Sequence, residues 1–353
     1  MTNINKSRIT YLFAVAVMFS LISSSAFGQS SAKRNPQKAA RIDVCFLLDS
    51  TGSMSDEIEV VKDKIWEIVN EIILGDPRPD VRFSIVTYRD QGDEYVVKTV
   101  PFTRDVDGIH SDLIQIRADG GGDKREDVNQ GFTIAVNDLD WDQLNGVARM
   151  IFLIGDAGPH MDYTQTIRYH DTAQNATRKG IQVFSIGCSG IDQNEVSEFT
   201  EMANLTGGSF EFLTYKMDIE QDGETKTLLI TGDKASIAEP EALGEKEWRR
   251  GAEELKSKGK VRSADKKESF SYKDSASGEE IEADADDLTN AHSTQTMENN
   301  LDLVIQRQIQ IQAEMQGAKY EKSELNVGVK EKTEVKKRNP WYVNVVNWFK
   351  SLF

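Results

Sequence analysis

DVCFLLDSTGSMSDE (residues 43–57) opens with an apolar run that stops at Asp49, after which Thr51 and Ser53 follow at alternate positions around Gly52. An apolar run without alternation is what a strand buried on both faces requires, and such strands belong to parallel sheets covered by helices. Residues 55–73 then place Ile58, Val61, Ile65, Ile68, Val69 and Ile72 at helical spacing, with Asp56 and Glu57 in the first turn. The unit is strand, polar loop, helix, and the loop carries one carboxylate and two hydroxyls.

The same alternation continues along the chain. Residues 81–90, 94–102, 148–156, 181–188 and 209–215 read as strands, and 107–116, 126–139, 163–178 and 193–205 as helices. This order predicts an α/β fold, an open doubly wound and mostly parallel sheet over residues 41–215. Ligands of such sheets sit outside the carboxyl ends of the strands. Asp49 ends the first strand there, Asp156 ends RMIFLIGD, and Asp123 closes the glycine loop DGGGD. The reading therefore predicts that Asp49, Thr51, Ser53, Asp123 and Asp156 converge on one divalent cation. Carboxylate and hydroxyl oxygens are hard donors that suit Mg²⁺, Ca²⁺ or Mn²⁺ rather than zinc, and a compact hydroxyl-rich site favours Mg²⁺. Taken alone, DSTGS also reads as a helix N-cap.

Four stretches, DVCFLLDSTGSMSDE, TYRDQGDEYVVKTVPFT, ADGGGDKREDV and FLIGDAGPHMDY, occur in this order, and together they resemble the von Willebrand factor type A (VWA) domain, particularly its bacterial secreted members. The resemblance covers residues 41–215 and extends to a helix at 299–317. It implies a metal-ion-dependent adhesion site (MIDAS), whose signature is Asp-x-Ser-x-Ser, a Thr and an Asp. Asp49, Thr51 and Ser53 match the first motif, Asp156 the late Asp, and Asp123 stands where the family often has Thr. It further implies a partner protein that completes the metal shell with an acidic side chain. Three carboxylates against two metal charges weaken that attraction. Lys124 and Arg125 are expected to offset the excess, and they join His160 as candidates for the ligand surface.

The 353 residues carry a net charge of −16, which argues against a nucleic-acid partner, since that needs a basic face. Lys6 and Arg8, the apolar stretch 9–22 and the small Ala26 and Gly28 read as a signal peptide over residues 1–28. They predict a periplasmic or secreted protein, with 29–40 as a linker. Cys45 and Cys188 fall at the ends or interiors of different apolar runs; if these are parallel strands that are not neighbours, the Cα atoms are too far apart to bridge, and both read as buried thiols. Residues 216–296 are rich in Glu, Lys, Asp, Ser and Gly and read as a largely disordered acidic insertion, with one edge strand at 225–232 and a short exposed helix at 245–257. Residues 297–317 read as the last helix of the VWA domain and 318–339 as a charged linker. The end of the chain, 340–353, is an amphipathic tail. Its Trp341, Trp348, Phe349 and Phe353, behind Lys336, Lys337 and Arg338, suit a partner groove or peripheral contact with a membrane surface.

No nucleophile–base pairing stands out, so the chain reads as a binding protein and not an enzyme. The alternatives are a metal-dependent hydrolase of the envelope and a chaperone-like protein that binds through the acidic insertion.

Overall fold

The computed structural model describes residues 39–55, 57–75, 78–239, 242–244, 247–273, 278–290 and 297–317 of the chain. The expected signal peptide, most of the expected 29–40 linker, the expected 318–339 linker and the expected aromatic tail lie outside the described residues. Among the described residues no helix is long and apolar enough to cross a membrane.

The first sheet has six strands in the order β3-β2-β1-β4-β5-β6. They are β1 (Arg41–Asp49), β2 (Asp80–Tyr88), β3 (Val97–Thr103), β4 (Val147–Gly155), β5 (Ile181–Gly187) and β6 (Phe210–Phe212). All neighbours are parallel except β3, which pairs antiparallel with β2. The two central strands, β1 and β4, are buried almost throughout, as their unbroken apolar runs require. Five helices connect the strands: α1 (Ile58–Ile73), α2 (Val106–Leu113), α3 (Val128–Asn137), α4 (Tyr169–Lys179) and α5 (Gln193–Leu205). The chain is thus an α/β protein with a mixed, mostly parallel sheet. Because β4 lies between β1 and β5, Cys45 on β1 and Cys188 just after β5 do not meet, and both are free and buried.

Residues beyond 213 depart from the sequence reading. The expected disordered insertion is a second, antiparallel sheet in the order β10-β9-β8-β7-β11-β12, with β13 also paired to β7. Its strands are β7 (Thr214–Gln221), β8 (Glu224–Thr231), β9 (Lys234–Ala238), β10 (Arg262–Ser263), β11 (Ser269–Lys273), β12 (Glu280–Asp284) and β13 (Glu298–Asn299). The predicted edge strand, β8, lies inside this sheet. Average composition hid the pattern. Tyr215, Ile219, Leu228, Ile230 and Ile237 are few, yet all are buried in one cluster with residues of the first sheet. Asp222 (φ 53°) and Gly223 (φ 79°) form the β7–β8 turn. Two positive φ angles at an Asp-Gly pair are what a tight two-residue hairpin demands.

The predicted exposed helix is a 3₁₀ turn (Glu247–Arg250) followed by α6 (Ala252–Ser257), and it buries Trp248, Ala252 and Leu255. After α7 (Ala285–Asn290) the chain returns as α8 (Leu301–Met315). That helix packs on α1 and β4 of the first layer.

Candidate cation site

Asp49 closes β1 at the carboxyl edge of the sheet and is fully buried. Its Oδ1 accepts hydrogen bonds from the Thr51 amide at 2.9 Å and the Thr51 hydroxyl at 2.6 Å. Thr51 Oγ1 lies 3.2 Å from Ser53 Oγ, which donates to Asp156 Oδ1 at 3.0 Å. One hydrogen-bonded chain thus joins the loops after β1 and β4. Four of the five sequence-predicted ligands, Asp49, Thr51, Ser53 and Asp156, are brought together.

The glycine loop folds over this chain. The Gly52 amide donates to the Gly120 carbonyl at 3.1 Å, and the Asp119 amide to the Ser50 carbonyl at 3.1 Å. Asp93 anchors the loop from the β2–β3 turn, its Oδ2 accepting from the Asp90 and Gly121 amides at 3.1 and 2.9 Å. Gly120 has φ +78°, and a Cβ there would lie 2.4 Å from Asp93 Oδ1, so only glycine fits this crossing.

Asp123 is not part of the chain. Its side chain is 66% exposed at the rim of the groove, and its Oδ1 lies 3.2 Å from His160 Nε2. The acidic residue that turns inward is Glu126, three positions later. A short parallel bridge holds it, the Glu126 amide donating to the Gly158 carbonyl and the His160 amide to the Glu126 carbonyl at 3.1 and 3.0 Å. Sequence reasoning missed Glu126 because DGGGDKRED offers four acidic residues. Only the bridge to Pro159, which has no local signature, selects among them.

Burial and mutual repulsion set the electrostatics. Burial pushes Asp49 up to about 6, against the lowering effect of its hydrogen bonds from Thr51 and Tyr88. Burial, then the charges of Asp49, Asp90, Asp156 and Asp93, raise Glu126 to about 9. Asp156 lies well above the usual carboxylate range, through burial first and then the charges of Asp49 and Glu57. Among the described residues Glu126 Oε2 is buried and receives no hydrogen bond, and buried Asp49 Oδ2 has only the Tyr88 hydroxyl beside it. A buried carboxylate oxygen without a donor is costly unless a cation or a proton sits against it. An orphaned carboxylate oxygen beside two hydroxyls fits a divalent cation.

Lys124 and Arg125 do not offset the charge as the sequence reading expects. Lys124 Nζ pairs with Asp192 and Glu195 at 3.1 and 3.0 Å, and Arg125 with Glu198 at 3.0 Å, all at the start of α5 or just before it. His160 is buried rather than presented on the ligand surface. Its Nδ1 lies 2.9 Å from Asp162 and its Nε2 faces Asp123 and Asp90. Burial works against its protonation, but the Asp162 hydrogen bond and the charges of Asp90, Asp123 and Asp162 outweigh it and hold its pKa above the ordinary value.

Strand order, loop placement and the Asp49–Thr51–Ser53–Asp156 chain define a doubly wound domain with a candidate cation site at the carboxyl edge of its sheet. Residues 43–215 match the family model of the von Willebrand factor A domain, and the chain carries a domain of that family. No curated protein matches it. Among solved structures it is similar to proximal thread matrix protein 1 of the mussel byssus in crystal form 2. The identity is 15% over 49% of this chain and 42% of that one, with a TM-score of 0.39. The same mussel protein with a zinc-occupied MIDAS motif matches at 15% identity over the same shares, with a TM-score of 0.40. The present chain thus spans less than half the length of these solved structures.

Proposed function

We propose that the chain is an exported, non-enzymatic binding protein that engages a partner protein through a cation held by Asp49, Thr51, Ser53, Glu126 and Asp156. The observation that carries this reading is the single hydrogen-bonded chain of Asp49, Thr51, Ser53 and Asp156 beside the buried, donorless Oε2 of Glu126. VWA domains commonly mediate protein–protein contact, and a bound divalent cation would supply a Lewis-acidic point for a partner oxygen. The ion is Mg²⁺, since the donors are all oxygen and two are hydroxyls.

Three carboxylates around two metal charges make a poor seat for a partner carboxylate. A neutral oxygen, from a hydroxyl or an amide carbonyl, completes the shell better. The basic, apolar and small-residue pattern of residues 1–28 supports export from the cytoplasm. The aromatic tail, with Trp341, Trp348, Phe349 and Phe353, adds a contact with a membrane surface or a partner groove.

An affinity pull-down from envelope extract in Mg²⁺, eluted with EDTA, tests the reading. A partner should be released by EDTA and not captured by Asp49→Ala. Capture that survives both would overturn the cation-dependent mode, and turnover of a phosphoester panel lost in Asp49→Ala would replace binding with hydrolysis. Flotation with anionic liposomes, before and after truncation at Asn339, tests the tail.

A further inference from the structure

Beside the proposed site lies a second group of ligating side chains that shares none of its residues. We propose that Asp90, Asp123 and His160 form a separate cation site, selective for a borderline divalent ion such as Zn²⁺ or Co²⁺. One ligand atom from each residue lies within 4.8 Å of the others. His160 Nε2 is 3.2 Å from Asp123 Oδ1 and 3.8 Å from Asp90 Oδ2.

The supports of these side chains point the same way. His160 Nδ1 is held by Asp162 at 2.9 Å, and its ring stacks on Tyr163 with centroids 4.1 Å apart. The Tyr163 hydroxyl lies 2.8 and 2.9 Å from the two oxygens of Asp90. A carboxylate behind the far nitrogen of a histidine, and a hydroxyl behind a carboxylate, are the outer partners that orient metal ligands. His160 and Asp90 are each less than a tenth exposed, while Asp123 stands at the rim and leaves a path inward.

Each carboxylate keeps a donor of its own, Asp123 Oδ1 the Arg125 amide at 2.9 Å and Asp90 the Tyr163 hydroxyl at 2.8 Å. Between them His160 Nε2 carries at most one proton, since its other nitrogen faces Asp162. A cation would take Nε2 and the remaining lone pairs of both carboxylates and leave these bonds in place. One nitrogen with two carboxylate oxygens is a donor set that suits zinc-like ions, whereas the all-oxygen neighbour suits harder ones. The sites adjoin through the backbone, where the His160 amide donates to the Glu126 carbonyl at 3.0 Å.

The test titrates the full chain with Co²⁺ in saturating Mg²⁺ and reads the visible ligand-field band together with calorimetric stoichiometry. Wild type and Asp49→Ala should each bind one Co²⁺, and His160→Gln should lose it. Asp162→Asn, a change at an exposed residue outside the ligand set, should weaken Co²⁺ by about tenfold while leaving Mg²⁺ binding unchanged. Three outcomes would overturn the site: no Co²⁺ bound in Asp49→Ala, binding displaced by Mg²⁺, or binding unaffected by both His160→Gln and Asp162→Asn.

Discussion

Ser53 Oγ donates to Asp156 Oδ1 at 3.0 Å, linking the loops after β1 and β4 across 103 positions of sequence. The bond orients one oxygen of Asp156, and Thr51 does the same for Asp49. The two carboxylates are therefore fixed before any ion arrives. That preorganisation has an electrostatic cost, since Asp49, Glu126 and Asp156 all stand above the usual carboxylate range.

The sign of that cost predicts a pH dependence. A carboxyl whose folded pKa is raised binds more protons folded than unfolded in the interval between the two values, so stability falls as pH rises through it. For Asp49 the interval runs from the ordinary range to about 6, and for Glu126 to about 9. Metal-free protein should lose stability steadily over this span. A bound cation replaces the protons, so its stabilising effect should grow with pH. Thermal melts in EDTA and in Mg²⁺ from about pH 5 to about pH 9 check this. A Mg²⁺-induced shift that shrinks with rising pH would count against the carboxylates as ligands.

Glu126 gives the second prediction. Glu126→Thr removes one buried negative charge and leaves a hydroxyl, the residue type that the family often shows at its third position. Cation affinity should fall by about ten- to a hundredfold, the effect of one close charge. Carboxylate uptake at saturating Mg²⁺ should rise, because the loaded site is no longer net negative. Calorimetry with Mg²⁺ and then with a glutamate peptide separates the two effects. Asp123→Thr should do neither, its side chain standing at the rim.

How far the sequence could be read follows from the same residues. β1 and β4 were legible because a strand buried on both faces leaves an unbroken apolar run, and DSTGS because its oxygens are consecutive. Glu126 was not, since its inward turn depends on a bridge to Pro159 some thirty residues on. The second sheet was hidden by averaging over 216–296, although Asp222-Gly223 between apolar-bearing stretches was a hairpin signal in plain view. The pairings of Lys124 and Arg125 depend on where α5 starts relative to the glycine loop, which is tertiary information.

Gly155, the last residue of β4, tests whether the site depends on close backbone packing. A Cβ at this position would lie 2.6 Å from the Tyr88 hydroxyl and 3.0 Å from Asp49 Cβ. Gly155→Ala should displace Asp49 without touching any ligand. Mg²⁺ affinity should drop by about tenfold or more, alongside a stability loss of about 1–3 kcal/mol from overpacking. Equal Mg²⁺ affinity in a destabilised variant would mean that Asp49 has room to move.

The return of α8 predicts how the molecule unfolds. Leu301, Val304, Ile305, Ile309 and Ala313 are buried in the same cluster as Val61, Ile65 and Ile68 of α1 and as Tyr215, Leu228 and Ile230 of the second sheet. Asn300 ties the helix start to β7, its Oδ1 accepting from the Thr214 amide at 2.9 Å and its amide donating to the Thr214 carbonyl at 3.2 Å. Arg249, in the 3₁₀ turn before α6, pairs with Asp302 at 2.9 Å, and Gln306 hydrogen-bonds Glu71 on α1. A shared core of this kind unfolds as one unit. Calorimetry should therefore show a single transition, and Ile305→Ala, a cavity at the junction, should lower its midpoint at a cost of about 2–5 kcal/mol. Mg²⁺ should raise the midpoint of the same transition, although no proposed ligand lies on the second sheet. Two resolved transitions, with Mg²⁺ moving one and Ile305→Ala moving only the other, would show that residues beyond 213 are a separate unit docked on the VWA domain.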